Sequence, residues 1–256
     1  MESAIKTPND IEMLREGGRR LARVLRLVSE HIAPGVSTKE LDALAERLIR
    51  EGGDAPAFLG YHPPFARRAY PASLCVSVND EVVHGIPLEN HILKEGDIVG
   101  IDLGLVHGGL IVDSARTVAV GEIDASARKL MDVCSNSLSA GIQAAQAGAH
   151  IGDIGYAIES YVKPHGFGIP RELGGHGVGY KVHEPPDVPN IGKPGKGPLL
   201  VPGMVLALEP MVNEGTGAVT TDEDGYTIRT SDGKRSAHFE HTIVITERGP
   251  QVLTQE

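Results

Sequence analysis

Two segments of this 256-residue chain follow the same pattern, and each ends in a carboxylate embedded in apolar sequence. The first runs Gly96-Asp-Ile-Val-Gly-Ile-Asp102 and the second Gly203-Met-Val-Leu-Ala-Leu-Glu209. A second acid enters an apolar run downstream of each, Asp113 after the first copy and Glu240 after the second. An unpaired carboxylate is so costly to bury that it normally takes up a proton, so four of them indicate a shared cation. The repeat predicts a metal centre between two similar halves.

Length and charge limit the class of protein. A chain of this length can form one or two domains, and the internal repeat favours a single domain over 1–256, with halves at about 8–120 and 125–246. The net charge is −10 and the basic residues form no run, which argues against a nucleic-acid-binding protein. The nearest approach to a basic cluster is Arg67-Arg68, which is typical of a solvated loop.

Cysteine use and hydropathy indicate the compartment. Cys75 and Cys134 form no close pair, so neither a disulfide framework nor a zinc knuckle is expected. No apolar stretch approaches the roughly 20 residues that span a bilayer, and the first residues lack the apolar core of a signal peptide. We expect a cytoplasmic protein without membrane contact.

Hydrophobic periodicity and turn residues predict an α+β fold, with helices on one side of a curved antiparallel sheet and an approximate internal twofold. A helix is expected over 8–32, and another begins with the capping box Ser37-Thr-Lys-Glu40 and stops at Gly52. The remaining predicted elements are helices over 125–147 and 153–163 and strands over 74–83, 98–105, 110–120, 205–212, 226–230 and 236–246.

A nitrogen ligand is available in Gly174-Gly-His176-Gly-Val-Gly179, where the glycines allow the backbone to approach a crowded centre. The same glycines resemble a dinucleotide-binding fingerprint, but no strand is predicted before them and no capped helix after them. The four acids, and His183 seven residues further on, favour His176 as a ligand. Oxygen-rich sites of this kind suit Mn²⁺, Fe²⁺, Co²⁺ or Zn²⁺.

In the order and context of these five candidate ligands the chain resembles the type I methionine aminopeptidases, from Ile5 to Thr246. The matching motifs are Val82-Val-His84-Gly-Ile-Pro87, Asp113-Ser-Ala-Arg-Thr117, Gly175-His-Gly177, His183-Glu-Pro-Pro186, Glu209-Pro-Met-Val-Asn213 and Phe239-Glu-His-Thr242. The resemblance implies the pita-bread fold of the M24 metallopeptidases. In this fold a curved antiparallel sheet is covered by helices, and its two related halves enclose a dinuclear metal centre.

The resemblance also implies roles for the metal ligands. Asp113 and Glu240 would bridge two divalent ions, Asp102 would chelate one of them, and His176 with Glu209 would complete the other. A hydroxide bridging the ions would attack the first peptide bond. A monovalent cation, Na⁺ or K⁺, is implied near Asn79 and Ser236.

Three residues have catalytic roles by the same resemblance. Glu209 would move the proton, His183 would donate a hydrogen bond to the developing oxyanion, and His84 would contact the leaving nitrogen.

The implied activity is removal of the N-terminal methionine from nascent proteins and peptides, by a monomer with transient ribosome contact. One alternative on the same fold is a peptidase of the aminopeptidase P or prolidase type, which cleaves Xaa-Pro bonds. A non-catalytic binding protein of this fold is the other, although such proteins lose metal ligands and this chain keeps all five.

The expected pocket for the first side chain departs from the family. Tyr61, Tyr70 and Cys75 resemble its wall. Three further candidates for the wall differ from the usual residue: Phe58 replaces a smaller thiol, Val182 an aromatic and Tyr226 a tryptophan. The segment 63–69 is longer than usual and is expected to form a loop at the rim. The chemistry is expected to be intact, with methionine still preferred.

His238 stands where the family usually has an amide. It precedes Glu240 by two residues on a predicted strand, so both side chains share a face. We expect His238 to contact a metal ligand through a hydrogen bond, with direct ligation as the alternative. Thr242 is expected to support the ligands in the same way.

Overall fold

Four helices cover the antiparallel sheets in the computed structural model, which describes residues 5–63 and 66–256. The helices are α1 (Pro8–Glu30), α2 (Thr38–Glu51), α3 (Ala125–Ala144) and α4 (Ile151–Val162), followed by a 3-10 turn at Lys163–His165. The strands are β1 (Ala55–Pro56), β2 (Leu74–Val78), β3 (Glu81–Val83), β4 (Ile98–His107), β5 (Leu110–Ala119), β6 (Gly174–Gly177), β7 (Glu184–Pro189), β8 (Val205–Leu208), β9 (Met211–Asn213), β10 (Val219–Thr221), β11 (Ile228–Thr230), β12 (Ser236–His238), β13 (His241–Thr246) and β14 (Gly249–Val252).

The helix ends follow from local chemistry. The Thr7 hydroxyl accepts from the Asp10 amide while the Asp10 carboxylate accepts from the Thr7 amide, a capping box that starts α1 at Pro8. Ser37 and Glu40 do the same for α2, as predicted. Three of the predicted helices end early, α1 by two residues, α3 by three and α4 by one. None of the helices in the described ranges is long and apolar enough to cross a bilayer.

The first half is built around β4, which pairs with β5 along one edge and with β1 and β2 along the other. The β4–β5 hairpin turns at Gly108 and Gly109, whose positive φ values of 56° and 84° suit a two-residue turn. Helices α1 and α2 pack their buried leucines against this sheet. The predicted hairpin is therefore present, and β4 extends two residues further than expected.

The second half contains a five-stranded sheet in the order β14-β13-β8-β6-β7, covered by α3 and α4. Its β8–β13 pair corresponds to β4–β5 of the first half, as the repeated sequence pattern indicated. Strands β6 and β7 were not predicted, because β6 is almost entirely glycine and β7 contains three prolines. The glycine segment itself forms β6, and, as predicted, no strand leads directly into it and no helix follows it.

Two predicted strands are broken at the acids that they carry. The run 205–212 is interrupted at Glu209-Pro210, because proline has no amide hydrogen to donate to a ladder. The run 236–246 is interrupted before His241, because the Glu240 amide donates across to Ala115 O of β5 at 2.9 Å. Both carboxylates therefore lie where the backbone passes between sheets.

The two halves are joined by hydrogen bonds between β5 and residues 238–242. The Asp113 amide donates to Thr242 Oγ1 at 2.9 Å, and that hydroxyl donates back to Asp113 O at 2.7 Å. Ser114 Oγ donates to Glu240 O at 2.8 Å. These contacts set the position of the second pair of acids relative to the first.

Candidate metal centre

The first two acids face the same side of the β4–β5 hairpin. Asp102 lies opposite Ala115 and Gly104 opposite Asp113, so the two carboxylates are on neighbouring rungs of one face. Asp113 is 3% exposed. The opposite edge of β4 places Cys75 beside Asp102.

The second pair of acids comes from the strand breaks described above. Glu209 directly follows β8 and Glu240 directly precedes β13, and Leu208 pairs with His241 at the adjoining rung. The two carboxylates are therefore at the end of one antiparallel pair, facing those of the first half.

His176 comes from the centre of β6, where it lies opposite Ala207 of β8. A side-chain Cβ at Gly175 would lie 2.1 Å from Ala207 O, and one at Gly177 would lie 2.5 Å from Pro185 O. Only glycine therefore fits on either side of this histidine. The ring Nδ1 is 2.9 Å from Gly177 O, and because a carbonyl only accepts, Nδ1 carries the hydrogen and Nε2 has a free lone pair.

Ligand atoms of Asp113, His176 and Glu240 all lie within 4.8 Å of one another, a spacing that suits a metal ion. Within the described part of the chain, the buried atoms Asp102 Oδ1, Asp113 Oδ1 and Glu240 Oε1 have no hydrogen-bond partner. Unpaired buried carboxylate oxygens cost free energy unless a cation neutralises them. The residues present therefore fit a site for divalent cations.

Electrostatics support this fit. Burial raises the pKa of Asp113 to about 7. Burial, followed by repulsion from neighbouring carboxylates, raises the pKa of Asp102, Glu209 and Glu240 well above the ordinary range. Burial also lowers the pKa of His176 to about 3, which keeps its imidazole neutral and able to ligate. Four acids that resist ionisation together require positive charge among them.

A cavity opens onto this cluster. Its lining includes the five candidate ligands, which we call the floor, and a set of apolar and aromatic side chains, which we call the wall. The lining residues are Phe58, Tyr61, Pro63, Tyr70, Cys75, His84, Asp102, Asp113, His176, His183, Glu209, Tyr226 and Glu240. Val182, predicted to lie in the wall, packs in the apolar cluster of Phe58 and Tyr70 but does not line the cavity.

Two histidines stand above the floor. The ring of His183 lies 4.3 Å from that of His176, and its Nδ1 is 2.8 Å from Tyr61 Oη. His84 follows β3 with a φ of 60°, an uncommon backbone conformation for a non-glycine residue, and this turns it toward the cavity. Burial, together with His183, lowers the pKa of His84 to about 4.

Three tyrosines form hydrogen bonds at the predicted rim segment 63–69. The Tyr70 amide donates to Tyr61 O at 2.7 Å, and Tyr226 Oη donates to Arg68 O. This agrees with the predicted rim loop over 63–69, although residues 64 and 65 lie outside the described residues.

The residues predicted to lie around the metal ligands contact different groups. Thr242 contacts the backbone of Asp113 and not its carboxylate. His238 is 3% exposed and faces Glu209, at 3.5 Å between Nε2 and Oε2. The side chain of Asn79 donates to Asp97 Oδ1 and accepts from the Ile98 amide, while its carbonyl accepts from the Ser236 amide. The monovalent cation near Asn79 and Ser236 stays a prediction.

Two contacts were not anticipated from the sequence. Tyr61 was predicted as pocket wall, and its hydrogen bond to His183 depends on a fold contact across 122 residues. Lys6 forms a buried ion pair with Glu184, the residue after His183. No local pattern signals either pairing.

Comparisons with known proteins identify the family of this chain. Metallopeptidase family M24 matches residues 12–247. Methionine aminopeptidase 1 of Bacillus subtilis is 48% identical over 250 residues, covering 98% of both chains. The crystal structure of a methionine aminopeptidase from Thermotoga maritima superposes with a TM-score of 0.94 at 44% identity, covering 98% of this chain and 99% of that one.

The wider fold is shared with more distant peptidases. The prolidase from Pyrococcus furiosus superposes with a TM-score of 0.76 at 22% identity, covering 99% of this chain and 66% of that one. This likeness concerns the fold alone and confirms the predicted pita-bread architecture. From its full-length identity to the first set of relatives, the chain belongs to the methionine aminopeptidases of metallopeptidase family M24.

Proposed function

We propose that this chain removes the N-terminal methionine from peptides and nascent proteins, using divalent metal ions held at the cavity floor. The observation that carries this proposal is the convergence of five ligand side chains beneath an apolar wall in one cavity. The polar floor suits a free amino group and its peptide bond, and the wall suits an unbranched apolar side chain.

The donor set would hold two ions. Asp102, Asp113 and Glu240 would supply oxygens to one, while His176 and Glu209 with the shared Asp113 and Glu240 would supply the other. Oxygen donors with one imidazole fit Mn²⁺, Fe²⁺, Co²⁺ or Zn²⁺. When bound, such ions polarise a carbonyl and lower the pKa of coordinated water.

His183 would donate a hydrogen bond to the scissile carbonyl oxygen. When Tyr61 Oη donates to His183 Nδ1, the remaining ring hydrogen is on Nε2, which is the tautomer that can donate to a substrate. Tyr61 would therefore orient His183 and fix its tautomer.

Glu209 would transfer the proton, and His84 would lie beside the leaving nitrogen. The Glu209 carboxylate lies at the floor, where burial raises its pKa, and this suits a group that accepts a proton and then delivers it. His84 is neutral near pH 7 because burial lowers its pKa to about 4, so it would act as a hydrogen-bonding group toward the leaving nitrogen.

One assay tests the function. The purified protein is incubated with Mn²⁺, Co²⁺ or Fe²⁺ and with the peptides Met-Ala-Ser, Leu-Ala-Ser and Ala-Pro-Ala. Release of methionine alone is expected, and removal of the metal with a chelator should stop it. Cleavage of Ala-Pro-Ala alone would contradict the proposal in favour of an Xaa-Pro peptidase, and metal binding without turnover would indicate a binding protein.

Replacing Tyr61 by Phe is expected to lower kcat about tenfold with little change in KM, since one hydrogen bond of roughly 1.4 kcal/mol that acts in the transition state is lost. Steady-state kinetics with Met-Ala-Ser measure both constants. Tyr156→Phe is the control, because Tyr156 is exposed on α4 away from the cavity. An unchanged kcat in Tyr61→Phe would contradict the assigned role.

Replacing Phe58 by Ala is expected to widen the side-chain pocket. The ring packs against Gly104, where an added Cβ would lie 2.7 Å from Phe58 Cε1, so the ring cannot retreat and limits the pocket depth. Preference for Met-Ala-Ser over Phe-Ala-Ser, measured as a ratio of kcat/KM, should fall about tenfold or more. Phe167→Ala, in a separate core cluster, should leave that ratio unchanged.

The remaining assignments are proposals of the same kind. We propose that 1–256 acts as one catalytic domain, supported by the hydrogen bonds between β5 and residues 238–242. The substrate would be the N-terminus of a peptide or nascent chain, met by a cytoplasmic monomer with transient ribosome contact. Arg67 and Arg68 are both exposed on the rim, and unchanged ribosome co-sedimentation after both are replaced by Ala would argue against their part in that contact.

A further inference from the structure

The carboxylate of Glu209 lies between two imidazoles. His176 Nε2 is 3.4 Å from Oε1, and His238 Nε2 is 3.5 Å from Oε2. The two rings approach from different elements, His176 from β6 and His238 from β12. Each oxygen of this carboxylate therefore has its own nitrogen neighbour.

The backbone holds His238 in this position. Its amide donates to Thr117 Oγ1 at 2.9 Å, and the same hydroxyl donates to His238 O at 2.9 Å. Its strand also pairs with β9 through Met211, two residues after Glu209. The ring thus projects from a fixed point, and its burial restricts the directions that it can take.

The His238 side chain is otherwise without a function in the proposed reaction. Its Nε2 is buried and, in the described ranges of the chain, makes no hydrogen bond of normal geometry. A buried donor without an acceptor costs about 1–3 kcal/mol, and Glu209 Oε2 is the acceptor in front of it.

The two imidazoles differ in how they relate to the candidate ligand atoms. His176 belongs to the set whose ligand atoms lie within 4.8 Å of one another, together with Asp113 and Glu240. At Glu209 the two rings contact different carboxylate oxygens, His176 at Oε1 and His238 at Oε2. This position suits a group that orients a ligand.

We propose that His238 is a positioning residue whose Nε2–H donates to Glu209 Oε2 and leaves Oε1 to face the metal. This inference rests on the proposed function only in assigning Glu209 as a ligand. It predicts that loss of the imidazole weakens the binding of one of the two ions selectively, because the Glu209 carboxylate is then free to rotate away from that ion.

The experiment measures metal binding and needs no turnover. Mn²⁺ is titrated calorimetrically into metal-free wild type, His238→Leu, His238→Gln and the control His241→Leu, whose imidazole contacts Thr254. His238→Leu should lose affinity for one ion about 10–100-fold. His238→Gln should bind both ions nearly as wild type does, because its amide also donates, and His241→Leu should not differ.

Wild-type affinity for both ions in His238→Leu would overturn the proposal. A loss as large in His238→Gln, with a changed visible spectrum of the Co²⁺ form, would also overturn it and indicate direct ligation. If His238→Leu does not fold, ¹⁵N NMR of the wild type decides, since the proposal requires a protonated Nε2 at His238. These outcomes are independent of the peptide assay, so a failed activity and a failed positioning role are distinguishable.

Discussion

Replacing Asp113 by Asn is expected to reduce methionine release by about 10³-fold or more. The neutral amide lacks the negative charge that would help to hold the metal ions, so several kcal/mol of transition-state stabilisation are lost. Asp113 is buried, and its carboxylate lies within 4.8 Å of ligand atoms of His176 and Glu240, which come from the second half. The measurements are kcat/KM for Met-Ala-Ser and the metal content after dialysis. Glu240→Gln, which removes the equivalent acid of the second half, should have an effect of similar size.

The metal-free Asp113→Asn protein should be at least as stable as metal-free wild type at pH 8. The pKa of Asp113 is raised from 3.8 to about 7 in the folded protein, so its ionisation opposes folding. That loss of stability develops as the pH rises from about 4 to 7 and is complete above pH 7. The Asn side chain does not titrate, so the variant avoids this loss. Thermal unfolding of both proteins at pH 5 and pH 8 measures the difference.

The stability measurement separates lost chemistry from lost folding. Asp132→Asn, on the exposed face of α3, is the matched control and should change neither activity nor metal content. Full activity in Asp113→Asn would refute the two-metal proposal. A metal-free variant less stable than wild type at pH 8 would show that the Asp113 carboxylate has a structural partner instead.

Replacing Lys6 by Met is expected to lower the free energy of unfolding by about 3–5 kcal/mol, because it leaves Glu184 buried without its cation. Both side chains of the pair are buried, at 0% and 3% exposure. Lys6 also lies over the Tyr180 ring, 4.3 Å from its centroid, and its amide donates to Gly203 O. It therefore joins the segment before α1 to the strand that follows His183.

Urea denaturation measures this effect. The double variant Lys6→Met with Glu184→Leu should recover much of the lost stability, since a well-packed apolar pair often replaces a buried ion pair without cost. Lys94→Met, an exposed site, is the surface control. If the double variant is as unstable as the single one, packing around Lys6 and not the unpaired charge carries the effect.

The helices and the β4–β5 hairpin were predictable because local patterns determine them. Capping boxes at Thr7 and Ser37, leucines at helical spacing and the Gly108-Gly109 turn each depend on residues close in sequence. By contrast, β6 and β7 are poor in β-forming residues, and they exist because β8 offers an edge to β6, which in turn pairs with β7. Their glycines and prolines have low strand propensity, and the glycines instead allow the backbones of neighbouring strands to approach closely.

The pocket was only partly predictable. Resemblance indicated Phe58, Tyr61, Tyr70, Cys75 and Tyr226, and all of these line the cavity. It also indicated Val182, which packs in the same apolar cluster as these residues but does not line the cavity. A residue's neighbours can be inferred from a related sequence, but whether one side chain reaches the cavity depends on the tertiary packing.

The identity of the donors and their arrangement in two matched sets can be read from the residues alone, because carboxylates within apolar strands are stable only around a cation. How the two sets meet depends on the fold. Asp113 and Thr242 are 129 residues apart, and their hydrogen bonds set the register that brings the two sets of acids together. The contacts of His238 with Glu209 and of Tyr61 with His183 also form only in the folded chain, since no local pattern specifies the distances between separate elements.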